Sequence, residues 1–533
     1  MTINFIISFI FVDTFKQCVW TACLILISLI AFNLLKDRDS IQGIFKIPGS
    51  LPILGHLLEI QLNPSLVFMR WWERYDKSIF QIKIGFRKVV IVNSYEDVTS
   101  LWLNHACQNN SRPLSYTFHS VVSSYQSYTI GTTPFSNTYK NKKKSLSQLL
   151  NKPSLKSLIP IINTESNYII DQILKDINKN DSVNLRDYLR FFVLRCCIHM
   201  SYGLILDCFG KDRELCMRII NNENNIIRLR SPISNIQDSI LILQLFPSFT
   251  NTKSAHECGK IRDRYMRFLY NRLIREIDKG NEECINSMVG KLVTSQCKAQ
   301  LTDQEINSIC LTLVSAGLDN TPLTLDYAIG ILSQPRLGES IQSRAIKKVL
   351  IEYDQNDFKN LDGGNKMNTY ITAILLESLR EFTVLPLSLP RITTKQIIYN
   401  NILLPPNTTL FMNAYAANHD PVHFEQPYNF IPERWLNGDE LVYKVKNFQH
   451  FAFGAGSRMC SGQNLAMRQM YIFLLKFLLM FKIKPPSSDN DLMEVNPFTS
   501  NSNPRATSFE PKNHKVHLKL RNILQFEDIM NIC

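Results

Sequence analysis

One stretch near the C-terminus, Phe451–Gly462 (FAFGAGSRMCSG), restricts this chain more than any other. Glycines at 454, 456 and 462 and the small residues between them leave Arg458 and Cys460 as its chemically distinctive side chains. A helical pattern begins near Gln463 (QNLAMRQMYIFLLKFLL), so Cys460 falls just before a helix N-terminus, where negative charge is favoured. A thiolate is a soft, electron-donating ligand that persists only where its surroundings lower its pKa and exclude oxidants and protons. Glycines let a backbone pass close to a large flat ligand and turn its amides toward the sulfur, and Arg458 suits a carboxylate on that ligand. Cys460 is therefore expected to be a ligand thiolate.

The other cysteines read differently. The chain has 13, an odd number, with no CxxC pair, which excludes a disulfide framework or a zinc site of that kind. Most, such as Cys196 and Cys197, are expected to be small buried hydrophobes in a reducing compartment. At 533 residues, 45% hydrophobic and 20% charged, the chain can build a large core. Its net charge of +13 favours anionic surfaces: an acidic membrane leaflet, an acidic protein or nucleic acid. Charge alone does not choose among them.

Cys18 to Leu35 carry no charge, which is long enough for a membrane span. A cleaved signal peptide competes, although its apolar part would be shorter. Cations at 36, 38 and 46 follow the run, against Lys16 before it, placing the bulk of the chain in the cytosol and leaving Asn109 and Asn407 unglycosylated. We expect residues 1–36 to be an anchor and 37–56 an elbow whose prolines and glycines (KIPGSLPILGHL, Lys46–Leu57) exclude helix; a plain linker is the alternative. Residues 57–533 then form one mainly α domain with a small β portion. SIFQIKIGFRKVVIVNS, centred on Gly85, predicts a hairpin, residues 154–334 are mostly helical, and strands return in KQIIYNNILLPPNTTLFMNAYAA.

The pattern F-x-x-G-x-R-x-C-x-G, here Phe453, Gly456, Arg458, Cys460 and Gly462, resembles the haem-binding signature of the cytochrome P-450 family. Two further motifs carry the resemblance. ESLR places Glu377 and Arg380 on one helix face, and PERW supplies Arg434, which in the family joins them in a buried network. VSAGLDNTP matches the family's oxygen-face helix at Ala316, Gly317 and Asp319. Asn320 stands where an alcohol is expected, and Thr321 follows one residue later, about 100° round the helix. Thr321 replaces that alcohol only if the helix is distorted, for which Pro322 is a cause; otherwise Asn320 orders a water.

The resemblance implies a P-450 fold with haem b on Cys460 as axial ligand and metal-binding residue. Tyr139, Lys143 and Arg391 would hold haem propionates, with Lys143 where arginine is usual. The run Lys140 to Lys144 is otherwise a solvated face or a dock for an acidic reductase. It further implies a monooxygenase that inserts one atom of dioxygen, with Asp319 and Thr321 or Asn320 as proton relay. Electrons would come from a separate NADPH-cytochrome P-450 reductase, at the endoplasmic reticulum membrane and in contact with its lipid. No nucleic acid and no obligate oligomer are implied. Residues 112–153 resemble the same part of fungal phenylacetate and hydroxyphenylacetate hydroxylases. Phe118, His119, Val122, Ala316, Val384 and Leu387 are the expected substrate pocket, with His119 able to meet an aromatic acid. Fatty-acid or sterol oxidation, and a non-catalytic haem-binding or sensing role, are the alternatives.

Overall fold

A computed structural model describes residues 40–123, 128–177, 181–231, 233–294, 301–354, 367–438, 440–442 and 448–521, with residues 20, 21, 23, 24, 27, 28 and 529. Twelve of the eighteen residues of the apolar run 18–35 lie outside these residues. Among the described residues no helix is long and apolar enough to cross a membrane.

The longer helices are α1 (Pro64–Tyr75), α2 (Asn137–Leu149), α3 (Lys152–Ile177), α4 (Arg186–Tyr202), α5 (Arg213–Arg228), α6 (Thr252–Asp278), α7 (Asp303–Ser315), α8 (Asn320–Leu332), α9 (Leu337–Asp354), α10 (Thr369–Phe382) and α11 (Gln463–Met480). Strands β1 (Phe45–Lys46), β2 (Ile79–Ile84), β3 (Arg87–Val92), β4 (Arg391–Ile392) and β7 (Thr409–Met412) form one sheet in the order β1-β2-β3-β7-β4. Small two-stranded pairs join β5 (Ile397–Tyr399) to β6 (Ile402–Leu404), β8 (Leu436–Asn437) to β9 (Glu440–Leu441) and β10 (Phe481–Lys484) to β11 (His517–Leu520). The expected mainly α architecture with a small β portion is what is found.

The predicted hairpin is β2 and β3, antiparallel with Ile84 opposite Arg87. Gly85 turns it at φ +59°, where a Cβ would lie 2.5 Å from the Ser239 carbonyl oxygen, so the turn and its contact both require glycine. Phe80, Ile82 and Ile84 of β2 pack with Phe68, Trp71 and Phe411, while Gln81 donates to the carbonyls of Ile41 (3.0 Å) and Ile44 (2.8 Å). The elbow is non-helical and contributes β1, parallel to β2.

The centre is helical. Every residue of α10 after Thr369, and every residue of α8 after Asn320, is buried, and α8 packs on α4, α10 and α11. Helices apolar on all sides belong inside a large core. Cys196 and Cys197 lie in it as expected, and burial pushes the Cys197 thiol up to about 12. The helical stretch 154–334 is interrupted at Ala316–Asp319, between α7 and α8. Pro322, third residue of α8, has no amide to give the Leu318 carbonyl, which accounts for helix restarting only at Asn320.

Candidate active site

The cysteine loop is seated by contacts from far along the chain. Gly456 has φ +61°, and a Cβ there would lie 1.9 Å from the Trp102 carbonyl oxygen, so only glycine fits. Gly462 is the N-cap of α11 at φ −90°, with the Cys460 Sγ 3.9 Å from its missing Cβ. Its amide and that of Gln463 face the sulfur. Burial nevertheless pushes the Cys460 thiol up, and these amides pull it only part of the way back. The side chain reaches accessible surface while protein encloses it at longer range, and the longer-range surroundings set its desolvation. The loop alone therefore does not make the expected low-pKa thiolate; coordination to a metal cation would deprotonate it.

Around this loop stand cations with no anion. Arg458 donates to the carbonyls of Asn110 (3.0 Å), Ile130 (3.3 Å), Gly131 (3.2 Å) and Thr133 (2.8 Å), and lies 3.9 Å over the Tyr139 ring. Arg391 donates to Asn109 O (3.1 Å) and to Ala455 O, and Lys143 donates to Ser457 O (2.6 Å). Arg112, which sequence reasoning missed, donates to the carbonyls of Gly131 (3.0 Å), Leu389 (2.6 Å) and Pro390 (2.8 Å). Burial first, then mutual repulsion, lowers Arg112 and Arg391, the latter to about 9. No carboxylate pairs with any of the three guanidiniums among the described residues. Nearby, the Trp102 indole N–H is buried without an acceptor.

Clustered buried cations are costly unless an anion joins them. A flat dianionic ligand with two carboxylates beside a thiol fits this donor set, as haem does. Tyr139, Lys143, Arg391, Arg458 and Arg112 would hold its carboxylates, and Cys460 its iron. Arg112 had no motif to announce it: it precedes Pro113 in a loop, and only its three carbonyl partners mark it. The basic run Lys140 to Lys144 is not simply a solvated face. Lys142 is buried, its Nζ is 3.4 Å from Thr133 Oγ1, and burial lowers it to about 8.

Glu377 collects the second group of residues. It accepts from Arg380 Nη2 (2.8 Å) and Nε (2.9 Å), Arg434 Nε (2.9 Å), Ile431 N (3.0 Å) and Trp435 Nε1 (2.8 Å). Burial pushes Arg380 down and the Glu377 carboxylate outweighs it, leaving a net upward shift. Arg380 also donates to Asn418 O and Pro427 O, tying α10 to the segment before the cysteine loop.

On the opposite side, Thr312 of α7 accepts the Ile130 amide at 2.9 Å, so residues 130–133 link α7 to Arg458. Ala316 is exposed and Asn320 half-buried, whereas Thr321 is buried. The helix is distorted as Thr321 would require, yet Asn320 is the side chain that reaches accessible surface near Ala316. A Cβ on Gly317 would contact Cys197 and Val193 of α4. Burial pushes the Asp319 carboxyl up, against a hydrogen bond from Ser508, and its Oδ2 has no partner. Arg190 and Arg228 act on it and both pair with Glu510, at 2.7 and 3.3 Å.

The expected pocket residues separate. Phe118 and His119 line a cavity with Arg112, Arg230, Leu389, Pro390 and Phe411. Leu387 lines its neighbour, which shares Arg230. Val122 packs against α6, where its carbonyl accepts from Arg262 at 2.9 Å, and Val384 belongs to the main core. His119 cannot meet an acid as expected: its Nδ1 accepts from Ser115 N (3.0 Å), its Nε2 donates to Thr132 O (3.2 Å), and burial lowers its pKa. Asn109 is fully buried, so its sequon is inaccessible.

A helical core around a seated cysteine, with guanidiniums that no carboxylate pairs among the described residues and a broken helix with a buried acid linked to them through residues 130–133, is an arrangement that suits a haem-binding oxidoreductase. The cytochrome P450 family profile matches residues 46–509, and the chain belongs to the cytochrome P450 family. It is 35% identical to phenylacetate 2-hydroxylase of Emericella nidulans over 488 residues, 91% of this chain and 92% of that protein. It is 31% identical to 3-hydroxyphenylacetate 6-hydroxylase of the same organism, over 90% of this chain and 89% of that protein. It is 32% identical to cytochrome P450 monooxygenase CYP3 of Mycosarcoma maydis, over 92% and 90%. The chain is thus a P450-family oxidoreductase.

Proposed function

We propose that this monooxygenase hydroxylates a small aromatic carboxylate of the phenylacetate type. The observation that carries the reading is similarity to two arylacetate hydroxylases over about nine-tenths of the chain, in company with a cavity whose apolar walls hold cations. A sterol has no carboxylate for these cations to meet, and a fatty acid is told apart from an arylacetate by its long chain rather than by its charge.

In this reading the Cys460 thiolate would hold the haem iron, and bound haem would supply dioxygen activation. Arg112, Arg391, Arg458 and Lys143 would hold the carboxylates of that group. Asp319, held toward its neutral form by burial, exchanges protons through Ser508 and the Arg190–Glu510–Arg228 cluster, whose Arg228 side chain is 45% exposed. Asn320 orders water on the Ala316 face. Electrons come from a separate NADPH reductase docked on the basic surface, and the apolar run 18–35 anchors the chain in the endoplasmic reticulum membrane.

The test is the absorption spectrum of the reduced, carbon-monoxide-bound protein, for wild type and Cys460→Ser, followed by addition of phenylacetate, laurate or a sterol to the ferric form. A red-shifted Soret band abolished by the substitution, and a spectral shift with phenylacetate alone, are expected. A band typical of histidine-ligated haem defeats the thiolate assignment, and a shift only with laurate or sterol defeats the substrate.

A further inference from the structure

The cavity lined by Phe118 and His119 contains an arginine with no hydrogen-bonded or ion-paired side-chain partner among the described residues. Arg230 follows α5 in the chain and lines both this cavity and the neighbouring one at Leu387. Its guanidinium lies flat enough over Phe118 to place Cζ 4.7 Å from the ring centroid. Its Nε is buried with no acceptor, and the guanidinium makes no hydrogen bond or ion pair among the described residues. Burial, acting first, lowers it. Arginine stays charged under such pressure, so the cost is carried by the fold until an anion arrives.

The neighbouring groups do not supply that anion. Glu223 and Asp319 act on Arg230 only through space: Glu223 Oε1 takes the Tyr265 hydroxyl, and Asp319 is engaged with Ser508. Arg262 adds repulsion and donates to Val122 O. The cavity's other arginines are Arg112, assigned above to the haem carboxylates, and the exposed Arg87, which donates to Leu114 O at 3.4 Å; both His119 nitrogens are taken. The apolar part of the lining is formed by residues such as Phe118, Leu389, Pro390 and Phe411.

We propose that Arg230 is the substrate-carboxylate anchor, which makes this cavity a site for a small aryl monocarboxylate held by its acid against Arg230 and by its ring against Phe118, Leu389 and Phe411. The inference rests on the arylacetate reading above and adds the residue that would enforce it. A carboxylate on an arginine makes a charge-assisted, bidentate pair that a neutral isostere of the same shape cannot match.

The experiment uses the full-length holoprotein and two probes, phenylacetate and uncharged phenylacetamide, titrated by calorimetry and by the ferric haem spectrum. Arg230→Leu is expected to weaken phenylacetate binding roughly 10- to 100-fold and to weaken phenylacetamide far less, since an ion pair is lost only for the acid. Arg230→Lys should recover part of the loss. Circular dichroism and haem content report whether each variant is folded, and Arg230→Gln gives the same comparison should the leucine variant fail to fold. Phenylacetate affinity unchanged in Arg230→Leu or Arg230→Gln overturns the anchor while leaving the arylacetate reading intact. Wild-type protein that binds neither probe overturns both.

Discussion

Replacing Glu377 by glutamine tests whether charge holds the ground beneath the cysteine loop. The carboxylate takes five donors on two oxygens, from Arg380 twice and from Arg434, Ile431 and Trp435. Glutamine keeps the shape, turns one acceptor into a donor facing N–H groups, and leaves Arg380 and Arg434 without the anion they share, both with side chains under a tenth exposed. Breaking a buried pair in this way costs about 3–5 kcal/mol, against total stabilities of about 5–15 kcal/mol. The folded-to-unfolded ratio should therefore fall by at least about 100-fold. Trp435→Phe sets the scale: it removes one hydrogen bond to the same carboxylate, about 1.5–3 kcal/mol, and keeps the ring beside Phe448. Urea unfolding followed by far-ultraviolet circular dichroism should rank wild type above Trp435→Phe above Glu377→Gln. A Glu377→Gln midpoint equal to or above that of Trp435→Phe would refute the argument, because shape and packing would then be sufficient.

Two further outcomes follow from the same structure. Burial raises the Glu381 carboxyl to about 8, above the range of an unfolded chain, so the folded protein holds a proton that the unfolded chain releases as pH rises from about 4.5. Its contribution is present at low pH and lost as pH climbs through about 8; Glu381→Gln should flatten the fall in unfolding midpoint between pH 5 and 8, and an unchanged slope contradicts this. Asn320→Ala should lower hydroxylated product per NADPH consumed several-fold, with peroxide rising, while the buried Thr321→Val should not; the reverse pattern would return the relay to Thr321.

The hairpin about Gly85 and the helices α10 and α11 were legible because local period and turn chemistry agree with burial. The cysteine loop was legible because Gly456 and Arg458 sit at fixed spacing from Cys460. What escaped depends on contacts across hundreds of residues. Arg112 and Arg230 are single basic residues in loops, with no local pattern, and what sets them apart is that no carboxylate pairs with them among the described residues. His119 resembled an acid-binding residue until Ser115 and Thr132 were seen to occupy both its nitrogens. The choice between Asn320 and Thr321 turned on where the helix breaks, and the interruption begins at Ala316, six residues before the proline that explains it.

The seat of Cys460 also carries a schedule. Trp102, Asn110, Ile130 and Thr133 meet Gly456 and Arg458 across more than 320 positions of chain. During synthesis at roughly 5–20 residues per second, the first of these partners leaves the ribosome roughly 20–70 s before the loop it must receive. Until then Arg112 and its neighbours are surface held open by an unfinished fold, and contacts this distant form late. A nascent chain stalled just before Phe451 therefore contains most of the core and not yet Cys460.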